Sequence, residues 1–200
     1  QAGLPMHLWI APGYAGAHAV MAGQGGGGQV QVFDEIYERG LVTEEIINLA
    51  LRKPWWGSGD KTNVKFGVID VAGYQHQAMA APAEVWLEKT GLYLSSNKVR
   101  ISDGTERFKS FLKPDPITRE PKIVFSPRCR GLISELGGGV NPIDGLVSVY
   151  KWKTDSQGNV VGDVPEDRNN HAVKACIYGL GNNFGYVRVE GGDKASVTRW

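Results

Sequence analysis

Cysteine is scarce: Cys129 and Cys176 are the two in 200 residues. They stand in unrelated contexts, without C-x-x-C or zinc-ligand spacing, which excludes a disulfide-stapled scaffold and a thiolate metal site. Reduced, mostly buried thiols of a cytosolic protein are expected. Long apolar runs are missing too. None reaches the roughly 18 residues of a membrane span, and no signal peptide is visible. Neither charge sign is in excess: 22 Lys+Arg against 21 Asp+Glu leave a formal +1. Such a chain is no bulk polycation, so contact with nucleic acid has to come from a local patch. Repeats and linkers are absent, and one domain over 1–200, with a sizeable core, is expected. Gln1 in place of a starting Met reads as a fragment or a processed chain.

What is present is a succession of short apolar segments. Leu8 to Ile10, Ala17 to Ala22 and Gln29 to Phe33 read as three successive strands. Gln24-Gly25-Gly26-Gly27-Gly28 between the last two reads as a loose hairpin turn. It lacks the Lys-Ser/Thr and the opening helix of a phosphate cradle. Thr43 to Arg52 reads as a helix capped by Thr43, with Ile46, Ile47, Ala50 and Leu51 on one face. Val64 to Ile69 is a near-continuous apolar strand of the doubly buried kind. Gln75 to Thr90 reads as a helix that Pro82 restarts or kinks. Further on come a strand at Leu92 to Leu94, a helix from Asp103 or Thr105 to about Leu112, and a strand at Lys122 to Phe125. A helix at Pro127 to Leu136 is stopped by Gly137-Gly138-Gly139. Val147 to Trp152 and Val160-Val161 flank a turn and predict a β-hairpin. Asp167 to Tyr178 predicts the last helix, followed by a Gly-rich tail. Three strands and then alternating strands and helices argue for an α/β fold, a mixed central sheet with helices on both faces.

Three stretches end in related chemistry. Ile10-Ala11-Pro12-Gly13 and Ile69-Asp70-Val71-Ala72-Gly73 are strand ends followed by small residues. Pro165-Glu166-Asp167-Arg168-Asn169-Asn170-His171 carries acids and amides into a helix. Carboxylates gathered at strand ends and a helix start suit hard divalent cations and phosphodiester cleavage. Each has an ordinary structural reading as well. Asp70 could cap the next helix, and Asp34 and Glu35 could be a solvated strand end or an ion pair. His18, Trp55 and Trp56 could be packing residues.

Ile10-Ala11-Pro12-Gly13-Tyr14 resembles the first motif, a strand ending in Asp-Pro-Gly, of the RNase H-like nuclease domain of bacteriophage large terminase subunits. Phe33-Asp34-Glu35-Ile36-Tyr37 looks like that family's third strand, Ile69 to Gly73 like its second catalytic strand, and Pro165 to Tyr178 like its closing helix. The resemblance covers nearly the whole chain. It implies an RNase H-like mixed sheet with a β-hairpin near the active site. It also implies an endonuclease that cuts concatemeric viral DNA during packaging, in the host cell cytoplasm, with two Mg2+ or Mn2+ ions about 3.5–4 Å apart. Duplex DNA, the subunit's own ATPase domain, the portal and the small terminase are the implied partners. No G-x-x-x-x-G-K-[ST] occurs, so an ATPase motor is not expected within the chain.

The departures matter. Ala11 stands where the resemblance puts the first catalytic Asp, and a methyl group ligates no metal. Either the chain is a degenerate relative or Asp was replaced to prevent cleavage. The intact Pro12-Gly13 and Asp70 favour replacement. The implied metal ligands are Asp70, Asp167 and position 11, with Glu166 or Asn170 as substitutes for Asp167. Asn170 and Lys174 stand where family members often carry Asp. His171, expected four residues after Asp167 on the same helical face, is a candidate site acid or phosphate contact, or a packing residue. Lys151 and Lys153 of the hairpin and Arg128 after a strand are the candidate DNA contacts. Two other readings compete: a Holliday-junction resolvase of the same superfamily, and a degenerate module that binds DNA or a portal without cutting.

Overall fold

A computed structural model describes residues 3–58, 61–75 and 80–184. In chain order the elements are β1 (Met6–Ala11), β2 (Ala17–Gly26), β3 (Gln29–Arg39), α1 (Thr43–Leu51), β4 (Gly57–Ser58), β5 (Lys61–Thr62) and β6 (Val64–Ile69). A 3-10 turn (Val71–Tyr74), α2 (Pro82–Thr90), β7 (Leu94–Ser95), α3 (Ile101–Leu112), β8 (Ile123–Phe125) and α4 (Arg130–Glu135) follow. The hairpin β9 (Trp152–Thr154) and β10 (Val160–Pro165) leads into α5 (His171–Asn183).

Six strands form one sheet in the order β7-β6-β1-β2-β3-β8. β1, β2 and β3 are an antiparallel meander, while β6 pairs with β1, β7 with β6 and β8 with β3 in parallel. The mixed sheet with a separate hairpin is the expected architecture. Gly27 and Gly28 turn β2 into β3 with φ of 62° and 83°. Positive φ at both centres of a two-residue turn suits the right-handed twist of the flanking strands and costs glycine no side-chain clash.

Alternation along the strands divides the core in two. Trp9, Ala11, Ala19, Met21 and Val68 pack with Ala172, Cys176 and Leu180 of α5 on one face. Leu8, Ile10, Val20, Ala22 and Ile69 pack with Ile46, Ile47 and Ala50 of α1 and Trp86 of α2 on the other. Each fully buried aliphatic side chain contributes about 1.5–3 kcal/mol. Gly179 lets α5 lie directly on β1, because a Cβ there would overlap the Trp9 ring. Cys129 and Cys176 are buried free thiols, and burial pushes the Cys129 thiol up to about 12.

Several boundaries differ from the sequence expectations. β2 and β3 run to Gly26 and Arg39, because their ladder continues through the glycines and past a bulge at Phe33. Thr43 lies inside α1, whose N-cap is Val42. Glu45 accepts the Val42 N–H at 2.8 Å, so the helix supplies its own cap from its third position. Pro82 opens α2 rather than kinking it, as suits a residue with no N–H to satisfy. Gln75 is extended, and residues 76–79 of the expected helix lie outside the described residues. The last helix begins at His171 instead of Asp167. The left-handed Asn169, with φ of 48°, breaks the chain between them.

Candidate active site

The parallel pairing of β1 and β6 places position 11 beside position 70. The Asp70 N–H donates to the Ile10 carbonyl at 2.8 Å, one step beyond the Ile10–Ile69 pair. Both positions fall on the α5 face, since Ala11 and Val68 belong to that core. Neighbouring strands lie about 4.8 Å apart, within which two carboxylates can share a cation. Asp70 is 9% exposed. Its Oδ1 accepts the Ala72 N–H at 3.0 Å, so it also caps the 3-10 turn. Tyr178 of α5 lies close enough to feel its charge. Burial, then the charge of Asp70, pushes Tyr178 up to about 12.

His171, the first residue of α5, is enclosed by the loop after β1. A Cβ on Gly13 would come within 2.9 Å of His171 Cε1, and Gly16 is held as closely against Nε2. These two glycines let the loop close over the imidazole. Burial lowers the pKa of His171 and the Lys174 ammonium lowers it further, against the pull of Asp167 and Asp70. The ring is therefore neutral at pH 7, with one nitrogen to donate and one to accept. Beside it, His18 is pushed down to about 4 by burial and by His171, against the pull of the Gly13 backbone. His18 Nε2 has no partner among the described residues.

Asp167 does not share a helical face with His171. Its side chain is 88% exposed and is held by Lys174 Nζ at 2.8 Å and Asn170 Nδ2 at 2.9 Å. Those two partners keep its carboxyl below the usual range. Asn170, the N-cap of α5, spends its amide on Asp167 and makes no side-chain cap. Glu166 faces Lys151 at 3.6 Å. The donor set does not fit a two-ion centre. Position 11 offers a methyl group, Asp167 is paired and turned to solvent, and Lys174 adds positive charge. Among the described residues, no three His, Cys, Asp or Glu converge as metal ligands.

Two important residues carry no signal in the sequence. Glu135, 1% exposed, reaches from α4 to the start of α5. It accepts the Ala172 and Val173 N–H groups at 3.2 and 2.8 Å and the Tyr37 hydroxyl at 2.9 Å. It thus replaces the cap that Asn170 does not supply, and burial pushes it up to about 7. Tyr178 is the other, singled out by the Asp70 charge that acts on its hydroxyl. Asp34 and Glu35 are structural. Asp34 binds Lys53 Nζ at 3.0 Å and Trp55 Nε1 at 2.7 Å, and Glu35 accepts the Gly131 and Leu132 N–H groups.

The candidate DNA contacts are dispersed. Lys151 precedes β9 and Lys153 lies on it, both exposed. Trp152 between them carries the Lys109 ammonium 5.2 Å above its ring. Arg128 is exposed before α4 and lines a separate cleft.

No protein-family model and no curated protein sequence matches the chain. Solved structures do. The large terminase nuclease domain of bacteriophage SPP1, solved with bound Mn, aligns with a TM-score of 0.58 at 14% identity, over 88% of this chain and 85% of that one. The large terminase of a thermophilic bacteriophage gives 0.64 at 14% identity, over 93% of this chain and 41% of that one. Its complex with ATP-gamma-S gives 0.65 at 12% identity, over 93% and 42%. The chain thus spans about two fifths of that whole terminase. At these identities the likeness is one of fold: the chain has the RNase H-like fold of phage large-terminase nuclease domains.

Proposed function

We propose that the chain is the nuclease domain of a viral DNA-packaging terminase, a metal-dependent endodeoxyribonuclease that cuts concatemeric duplex DNA and is disabled here by Ala11. The observation that carries this reading is the meeting of positions 11 and 70 on the α5 face, beside a neutral His171. Mn in the SPP1 domain supports the use of a divalent cation. The present residues do not assemble that centre, and Asp at position 11 would give Asp70 its missing companion. Asp167 is the candidate third ligand if it leaves Lys174, with Glu166 and Asn170 the alternatives. Two ions, Mg2+ or Mn2+, belong to the restored site. His171 would hold a phosphate oxygen or pass a proton, and Lys151, Lys153 and Arg128 would meet the DNA backbone. The partners in this reading are an ATPase motor domain, the portal and the small terminase, in the host cell cytoplasm.

Cation binding tests the site. Ala11→Asp should gain thermal stability in Mn2+, by about 2.7 kcal/mol at a hundredfold excess over Kd, while the present chain stays unshifted. An unshifted Ala11→Asp protein would remove the site assignment. The Asp167–Lys174 ion pair favours one competing reading, a degenerate DNA- or portal-binding module. Under that reading Ala11→Asp stays cation-free and inert.

A further inference from the structure

A second basic feature lies along β3, three strands away from β6 and Asp70. β3 pairs with β8 through Val30, Val32 and the residue between them, so its second half is an open edge. A cleft of about 640 Å³ lies along that edge, between the end of α1 and the start of α4. Arg52, Lys53, Arg128 and Arg130 supply its cations. Lys53 is committed to Asp34. Arg52, Arg128 and Arg130 are exposed, and none has a carboxylate partner among the described residues.

The acids in the cleft decide what it can take. Asp34 is paired with Lys53 and accepts the Trp55 indole N–H, and Glu35 accepts the backbone N–H groups of Gly131 and Leu132. Both residues line the cleft, and Glu38 adds a third acid. A small anion enclosed in the cleft would meet these acids. A long polyanion crossing the rim would meet three guanidinium groups that come from separate chain positions. Each guanidinium can fork to its own phosphate, the geometry that separates arginine from lysine. An acidic peptide would set its own carboxylates against the same acids without the regular spacing of phosphates.

We propose that the Arg52–Arg128–Arg130 rim is a phosphodiester-backbone grip that holds duplex DNA apart from the Asp70 edge. It rests on the reading above only for the identity of the polyanion. From β6 to β3 is three strand spacings, about 15 Å, so one duplex reaches both places.

The test is fluorescence anisotropy of a labelled random-sequence duplex in EDTA, on the present chain and on Arg52→Ala/Arg128→Ala/Arg130→Ala. The expected result is a 10- to 100-fold weaker affinity at low salt, equal across sequences. The slope of log affinity against log salt should become shallower by about 2.7. Circular dichroism and an unchanged melting temperature verify the fold of the triple variant. Unchanged affinity and slope overturn the proposal, as does absence of DNA binding by the present chain at low salt. Retained DNA affinity with lost binding of an oligoglutamate peptide overturns it in favour of an acidic-peptide site. No cleavage enters the readout, so a failed Ala11→Asp nuclease leaves this result standing.

Discussion

In the proposed reading, one methyl group at position 11 decides the chemistry of the edge where β1 and β6 end. The strand context was legible, because Ile10-Ala11-Pro12-Gly13 ends a buried strand and Asp70 ends its parallel neighbour. The company of Asp70 was not. Tyr178 comes near it from a helix more than a hundred residues later, and no local pattern announces such a neighbour. His18 makes a prediction of its own. Its folded pKa of about 4 lies below the ordinary 6.5, so the unfolded chain binds the proton more readily between those values. Its share of stability is complete above pH 6.5 and is lost as pH falls toward 4, on the order of 3 kcal/mol in all. His18→Phe should flatten that part of the stability profile, as read by urea denaturation at stepped pH. A profile that falls as steeply as before toward pH 4 would show that His18 does not carry it.

The start of α5 is the element on which the site depends. Asp167 and His171, four residues apart, predict one shared helical face. The left-handed Asn169 separates them instead, and the capping carboxylate comes from Glu135, remote in sequence. Caps borrowed from another element leave no trace in the helix that uses them. Glu135→Ala leaves two helix N–H groups and the Tyr37 hydroxyl without this acceptor, and should cost about 2–4 kcal/mol in urea unfolding. Glu135 also titrates. Its folded pKa is raised to about 7 from 4.5, so the folded chain holds the proton more tightly and stability falls as pH rises through that window. This slope opposes that of His18. Glu135→Gln should therefore show a stability that rises more steeply with pH between 4.5 and 7 than the unsubstituted chain. Parallel profiles would place the charge of Glu135 elsewhere in the balance.

For the whole molecule, the meander, the crossover to β6 and the two-sided cover of the sheet follow from apolar alternation and from glycine turns. The sequence carries those signals directly. The open half of β3 and its arginine rim do not follow, because Arg52, Arg128 and Arg130 are brought together by packing rather than by spacing. A net charge of +1 hides such a patch. Salt dependence exposes it: binding of duplex DNA should weaken uniformly across sequences as salt rises, and sequence-selective weakening would contradict a backbone grip.

The central claim is that the ends of β1 and β6 form a hydrolytic edge. Supercoiled plasmid in Mn2+ tests it with three proteins: the present chain, Ala11→Asp, and Ala11→Asp combined with Asp70→Asn. The account predicts nicking and linearisation by Ala11→Asp alone, with silence from the other two. Cleavage that survives Asp70→Asn, or silence from all three, would contradict it.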